Sequence, residues 1–457
     1  MKKKVLLLHC PGDKVYLHDY YTSYSSKANY YWPPTDLIIL SGVLREFEIA
    51  VLDAIAEKLS EEESEKRILS FQPDVIISTT GTATWESDVR FLEKIKQKIP
   101  ARIFGSSSIF LFEAEYFLNA TPIFDALILD IVSPEIAEFI RGEEKEYLTI
   151  ATRKGKVFSP PKDLKKDQDF RIPIPQHELF RFECNRSPLA RRKPFTLVIT
   201  SLGCPFTCKF CVAGSLPYRY RNIDNVIEEL KSLKSLGIKE IMFNDPTFTV
   251  SKKRIFELCQ KMKENELDFT WVSNAHVATL SEGVVSALSQ AGCHTMMIGV
   301  ESGDDRILEA YSKGTTKAKI KKAFSLCKEY RIKTLAYFII GLPGETKESL
   351  LETIRFSKEL DCDFASFTVP TPDIGSKMRQ EAIEKGWLEP GTIIFDSTSF
   401  PVFSSTELSK DEIWKFRQRA VREFYLRPSY LIKKIIGIRS LRDMTFLLDQ
   451  ALAMFFK

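Results

Sequence analysis

Cys204, Cys208 and Cys211 fall within one short stretch, 200–214, directly after an apolar run that begins at Phe195. Pro205, Thr207 and Lys209 lie among them and describe an exposed loop, so three cysteines packed in a core is the weaker reading. Thiolates are the soft ligands of zinc and of iron–sulfur clusters. A structural zinc closes with four ligands, and Cys184 and Cys259, the nearest other cysteines, offer no matching spacing. A four-iron cluster also takes four thiolates when electron transfer is its task. Three leave one iron open to a substrate or cofactor, and Phe210, just before Cys211, offers such a cofactor a flat apolar contact. Cys10, Cys184, Cys259, Cys293, Cys327 and Cys362 are scattered. With nine cysteines and no secretion signal, these six read as small buried apolar residues rather than a disulfide framework.

The elements that position this loop follow from the apolar pattern. Six runs, at 195–200, 239–245, 269–275, 295–301, 334–341 and 364–370, are separated by amphipathic segments such as 225–236 and 347–360. Six strand–helix units predict an incomplete parallel barrel of the (β/α)6 TIM type over 195–385, with function at the C-terminal ends of its strands. The polar residues fall there: the cysteine loop, Asp245, His276, Glu301 with Ser302, Gly341 and Asp373. Tyr218, Arg219, His276 and Asp373 are candidates for a substrate pocket by position alone.

Residues 1–145 alternate strands (5–9, 47–53, 74–80, 101–106, 124–130) with helices (35–46, 60–71, 86–99, 110–118, 134–141). This is the pattern of a doubly wound, Rossmann-like parallel sheet, giving an α/β chain overall. Ligands of such sheets bind where strands end and helices begin. The loops there carry Pro11 and Gly12, Asp53, then Thr79, Gly81 and Thr82, then Gly105 and Ser106, and finally Pro134 and Glu135. Their Gly, Ser and Thr residues permit close backbone approach and offer hydroxyls, while the lack of GxGxxG gives no sign of a dinucleotide. Residues 146–194, rich in Lys and Pro, read as a linker, and 386–457 as a helical region.

Composition bounds the rest. At 457 residues, 44% hydrophobic and 28% charged, the chain is an ordinary globular protein, and a net charge of +4 does not mark a nucleic-acid binder. No apolar run approaches the ~20 residues of a spanning helix. The basic start is followed by only four apolar residues before His9, too few for a signal peptide, which predicts a cytoplasmic protein. Near the C-terminus, Lys415, Arg417, Arg419, Arg422 and Arg427 form a basic run, and 431–442 mixes Ile and Leu with Lys433, Lys434, Arg439 and Arg442. Such helices can rest on an anionic membrane surface, but a cap over the open barrel is the favoured reading.

CPFTCKFC, at 204–211, resembles the CxxxCxxC motif of radical S-adenosylmethionine enzymes. The resemblance implies a 4Fe-4S cluster on Cys204, Cys208 and Cys211, with the fourth iron chelating the amino and carboxylate groups of S-adenosyl-L-methionine. It further implies that Phe210 and Asp245 lie at the cofactor, that Glu301 and Ser302 face its ribose or carboxylate, and that the backbone at Ile340 and Gly341 meets its adenine. The N-terminal block is similar to the cobalamin-binding domain of one large subclass, through Trp32-Pro-Pro before a helix and the stretches at 51–54, 73–78 and 130–135. That adds cobalamin, held by the loop residues named above. DxHxxG is absent, implying no histidine on cobalt; Ser106, Ser107 and Ser108 follow Gly105 where the subclass commonly has Gly-Pro-His; and His276 stands where an arginine is common. The implied activity is methylation of an unactivated carbon: a 5′-deoxyadenosyl radical abstracts hydrogen and the substrate radical takes a methyl group from methylcobalamin. The alternatives are a radical oxidase or cyclase without methyl transfer, and a non-catalytic corrinoid or electron-transfer carrier. A methylthiotransferase is disfavoured, because similar enzymes bring a second cysteine trio and the N-terminal block has only Cys10. The expected partners are a small-molecule or lipid-like substrate and a reductant protein such as a flavodoxin or ferredoxin, with no nucleic acid.

Overall fold

A computed structural model describes residues 2–155 and 169–436. The chain opens with β1 (Lys4–His9), a hairpin of β2 (Tyr16–His18) and β3 (Ser23–Ser25), then β4 (Glu48–Asp53), β5 (Val75–Thr79), β6 (Arg102–Ser106), β7 (Ala126–Ile128) and β8 (Ile150–Ala151). Apart from the hairpin, these strands form a six-stranded sheet in the order β4-β1-β5-β6-β7-β8, with only β8 antiparallel. Helices cover both faces, which is why Val5 to Leu8 and Val75 to Ile77 are apolar without alternation and fully buried. The order reverses at β1, so a ligand-binding crevice is expected beyond the ends of β1 and its neighbours.

The second unit contains β9 (Asp169–Phe170), β10 (Phe195–Val198), β11 (Ser201–Leu202), β12 (Arg219–Arg221), β13 (Glu240–Phe243), β14 (Thr270–His276), β15 (Cys293–Glu301), β16 (Lys333–Ile339) and β17 (Phe364–Thr368). Six of them pair in parallel and in chain order, β10-β13-β14-β15-β16-β17, leaving the sheet open rather than closed into a barrel. Side-chain alternation separates its two faces. Val198, Phe243, Trp271, Ile298 and Phe338 pack under the surrounding helices. Leu197, Met242, Val272, Met297 and Tyr337 face inward and share one apolar cluster with the N-terminal unit, including Tyr21, Tyr24 and Tyr30. The N-terminal unit therefore sits in the mouth of the open barrel, and the two strand-end rims face each other.

The expected strands and helices are present. The differences are short elements that carry no measurable period. The hairpin β2–β3 is inserted before the first long helix, Thr35–Val43, and a short helix, Asp305–Ala310, precedes Lys317–Glu329 between β15 and β16. The segment expected as a linker also pairs: β8 extends the first sheet, β9 joins β12, and Arg186 bridges to Tyr31. Near the C-terminus, the helix Lys410–Tyr425 buries Ile413, Ala420, Val421 and Phe424 against the barrel, and its Tyr425 hydroxyl bonds the backbone of Ala365. It is a cap, with Arg419 paired to Glu423 and Arg417 on the carbonyl of Phe367. Arg439 and Arg442 lie outside the described residues. No helix among the described residues is long and apolar enough to cross a membrane.

Candidate functional site

The cysteine loop is closed at its neck by an antiparallel pair, Ser201 opposite Tyr220 and Leu202 opposite Arg219. Gly203 enters the loop at φ +71°, and a Cβ there would stand 2.3 Å from the carbonyl oxygen of Pro217. Both facts demand glycine, so Gly203→Ala is expected to cost about 1–3 kcal/mol in urea denaturation and to lower cluster occupancy. Inside the loop, the Cys211 amide donates to the Cys208 carbonyl (3.1 Å) and that of Lys209 to Tyr311 (3.1 Å). Cys208 is buried, whereas Cys204 and Cys211 are partly exposed. Burial, then the neighbouring Cys204 and Cys208, push the Cys211 thiol up to about 12. Burial also raises Cys208, opposed by Lys313. Cys208 and Cys211 therefore hold their protons until a cation replaces them. Among the described residues, no three His, Cys, Asp or Glu side chains converge on one metal ion. A cluster makes a different demand, since each thiolate takes its own iron, and three thiols on one loop fit it.

The surroundings come from the ends of β14 and β15, the segment that follows β15, and the loop's own aromatic residues. Glu301, at φ +70° beside an irregularity in the β15–β16 register, forms a buried ion pair with Lys313 (2.8 Å). The Lys313 ammonium also stands 5.9 Å from the Phe210 ring centre, and Phe210 packs against Tyr311. Gly299 lies so close that a Cβ would be 2.4 Å from Glu301 Oε1 and 2.6 Å from Lys313 Nζ. Phe206 stacks on His276 with ring centres 3.8 Å apart. Phe206, Tyr311 and Lys313 have no signal in the sequence, because their roles come from contacts across strands.

Several expected cofactor contacts have other partners. Both Asp245 carboxylate oxygens are occupied, by the Thr200 amide (2.6 Å) and hydroxyl and by the Ser201 hydroxyl (2.8 Å), so this side chain braces the loop's neck. The Ser302 hydroxyl is fully buried against Glu345 (3.1 Å) and Thr353 (3.2 Å). The Ile340 amide bonds Thr368. Those of Gly341 (2.9 Å) and Leu342 (3.0 Å) bond Glu345, a carboxylate that belongs among the site's supports. Burial raises Glu345 from 4.5 to about 7. Between these values the folded chain holds a proton the unfolded chain has lost, so stability falls as pH rises, by about 3 kcal/mol in all. Glu345→Gln is accordingly expected to gain on the native chain as pH climbs from ~4.5 to ~7 and to level off above, as read from urea midpoints.

Gly81 and Thr82 of the N-terminal unit line a narrow cleft, together with Ser107, Ser108, Asp19, Tyr21, Val212 and Asp373. Thr79 and Ser106 lie buried behind it, with the Ser106 hydroxyl on Asp36 (2.7 Å). Other expected residues serve local packing. Asp53 binds His9, Tyr31 and the Ala56 amide. Glu135 holds Thr149 and the Leu148 amide. Gly105 abuts Phe110, and Gly12, after Pro11, abuts Tyr16. Among the described residues, the buried His9 Nε2, Thr79 Oγ1, Thr80 Oγ1 and Asp36 Oδ1 near these strand ends lack a hydrogen-bond partner. A polar ligand at this rim would satisfy such atoms.

Of the substrate-pocket candidates, Asp373 lines the cleft, and burial raises it to about 7. Two others have partners within the protein. Arg219 makes a buried two-point pair with Asp130 (2.8 and 2.8 Å) that leaves it tied to the N-terminal unit. His276 uses both nitrogens internally: Nδ1 accepts from the Ala278 amide and Nε2 donates to the Lys313 carbonyl. Burial lowers it to about 3, so it is neutral. Tyr218 lies beside Tyr220 at the neck.

An open six-stranded barrel carrying this cysteine loop defines a class. The sequence profile of the radical SAM superfamily matches residues 198–357. The chain is 35% identical over 419 residues to the uncharacterized methyltransferase PH0819 of Pyrococcus horikoshii, covering 88% of this chain and 90% of that protein. The chain belongs to the radical SAM superfamily and is an enzyme. It is also 23% identical, over 91% of its length and 78% of the relative's, to the anaerobic magnesium-protoporphyrin IX monomethyl ester cyclase of Rubrivivax gelatinosus. The radical S-adenosylmethionine methyltransferase TsrM of Kitasatospora setae, solved with cobalamin and a [4Fe-4S] cluster, shares the fold (TM-score 0.67, 16% identity, 90% of this chain and 84% of that one). So does the cobalamin-dependent radical enzyme OxsB (TM-score 0.62, 16% identity, 99% and 72%).

Proposed function

We propose that this enzyme is a cobalamin-dependent radical S-adenosylmethionine methyltransferase acting on a small molecule. The observation that carries the reading is the cleft. One wall is Gly81, Thr82, Ser107 and Ser108 at the ends of the first sheet, and another is Val212, adjacent to Cys211. The methyltransferase name of the 35% identical relative supports it independently. The residues fit the groups: three thiols in one loop suit a 4Fe-4S cluster, and unpartnered polar atoms at the facing rim suit the amide-rich edge of a corrin. When bound, the cluster and S-adenosyl-L-methionine supply a 5′-deoxyadenosyl radical, and cobalamin supplies the methyl group.

The chain's own residues do the rest. Cys204, Cys208 and Cys211 would hold the cluster, and Phe210 would offer the cofactor an apolar face beside Tyr311. Lys313 orients the Glu301 carboxylate toward the loop and neutralises it. Glu345 fixes the amides of Gly341 and Leu342, shaping the turn that would meet the adenine. Asp19, Tyr21, Asp373 and the serine and threonine hydroxyls of the cleft would offer a substrate polar groups. A flavodoxin- or ferredoxin-like reductant supplies the electron, and the acceptor is an unactivated carbon.

The likeness to the cyclase of Rubrivivax gelatinosus supports a second reading, radical ring formation without methyl transfer. Protein purified anaerobically, supplied with cobalamin and reduced with S-adenosylmethionine separates the two. Retained cobalamin and S-adenosylhomocysteine alongside 5′-deoxyadenosine support methylation, and deoxyadenosine alone supports the cyclase reading.

A further inference from the structure

The neck of the cysteine loop has an incoming strand, β11, and an outgoing strand, β12, and each is gripped from the N-terminal unit. On the incoming side, the Gly203 amide, one residue before Cys204, donates to the Tyr21 hydroxyl at 2.6 Å. On the outgoing side, the Arg219 guanidinium donates to both oxygens of Asp130, at 2.8 Å each. Arg219 sits opposite Leu202 in the β11–β12 pair, so the two grips lie one residue apart across the same ladder. Both members of the ion pair are buried, Arg219 to 7% and Asp130 to 3% exposure. Tyr21 belongs to the hairpin that also walls the cleft, and Asp130 to the turn after β7. The barrel holds the neck as well, through Asp245 on Thr200 and Ser201 and through Arg254 on the Arg221 carbonyl (2.6 Å).

We infer that Tyr21 and Asp130 are positioning residues for the iron–sulfur loop: the N-terminal unit sets the pose of the three cysteines against the cleft. This rests on the proposed function for what the loop holds, but the mechanical claim concerns the loop itself. Without the N-terminal grips, the loop loses both ties to the N-terminal unit and keeps those to the barrel. A guanidinium left without its carboxylate is a buried unpaired charge and drives local opening. An orphaned Gly203 amide does the same more mildly. The cysteines would still collect irons, since no ligand is lost, but the open coordination site would no longer be held in one orientation toward Glu301 and Phe210.

The test compares native protein with Tyr21→Phe and Asp130→Asn, each reconstituted anaerobically. Iron content should stay at the native level. S-adenosylmethionine affinity, by equilibrium dialysis, should fall about tenfold or more. The electron paramagnetic resonance spectrum of the reduced cluster should respond to S-adenosylmethionine with a broadened signal. Asp130→Glu, which keeps the charge, should recover part of the affinity. Hydrogen exchange on the protein before reconstitution should be faster at the Gly203 and Arg221 amides in both variants. Affinity and exchange within about twofold of native protein in both variants would overturn the inference. Native protein that binds neither cluster nor S-adenosylmethionine would overturn the proposed function instead, and the exchange comparison would still decide whether the grips position the loop.

Discussion

Cys208→Ala protein, reconstituted anaerobically with iron and sulfide, is expected to lose the visible absorbance of a four-iron cluster and to form no detectable 5′-deoxyadenosine. Cys208 is the buried member of the trio, between Cys204 and Cys211 and within reach of the Lys313 charge. With three protein ligands for a four-iron cluster, removing one leaves two, and the remaining irons have no scattered cysteine to turn to, because the other six lie elsewhere in the fold. Turnover depends on the intact cluster, so the loss should reach at least about a thousandfold, equivalent to ~4 kcal/mol of barrier. The fold itself should survive, since the neck is closed by backbone pairing and by Asp245 rather than by the thiols. Far-ultraviolet circular dichroism identical to native protein, with the cluster spectrum absent, is the expected pair of results. A full cluster spectrum in this variant would remove the metal assignment.

Lys313→Met is expected to give the largest loss of stability among single changes around the loop. Lys313 and Glu301 are buried to 6% and 7% exposure and joined at 2.8 Å. Removing the cation leaves a carboxylate uncompensated beside three cysteines, and breaking one side of a buried pair typically costs about 3–5 kcal/mol. Urea denaturation reads this directly. The double variant Lys313→Met with Glu301→Gln should recover part of the loss, because it removes the orphaned charge rather than an attractive contact. Cluster assembly should suffer in the single variant more than in the double, since an uncompensated Glu301 also disfavours ionised thiols nearby. Equal stabilities for the single and double variants would contradict the pairing.

Much of this was legible in the sequence where residue type and local spacing carry the information. Both sheets follow from unbroken apolar runs, because strands covered on both faces need no polar alternation, and the cysteine trio follows from spacing alone. What the sequence hides is the partner of each polar side chain. Asp245 reads as a cofactor contact by its place at a strand end, yet Thr200 and Ser201 occupy both of its oxygens. Arg219 reads as an exposed pocket residue until Asp130, 89 positions away, is seen to hold it. His276 reads as a pocket candidate by position, and only the structure reveals that both of its nitrogens are in use. The hairpin carrying Tyr21 was missed because three-residue strands have no period to detect. Of the loops in the N-terminal unit, those after β5 and β6 reach the cleft, and the Asp53 and Glu135 loops turn to local packing, a distinction made by the arrangement of helices rather than by composition.

We propose that both rims of one cleft serve a single radical methylation. Its most direct measurement supplies the anaerobic, cobalamin-loaded protein with methyl-13C S-adenosylmethionine and a reductant, and follows the products by mass spectrometry. The account predicts 5′-deoxyadenosine and S-adenosylhomocysteine together, with the 13C methyl group recovered on cobalamin or on an acceptor and both products absent in Cys208→Ala. Deoxyadenosine without S-adenosylhomocysteine, or S-adenosylmethionine recovered intact, would contradict it.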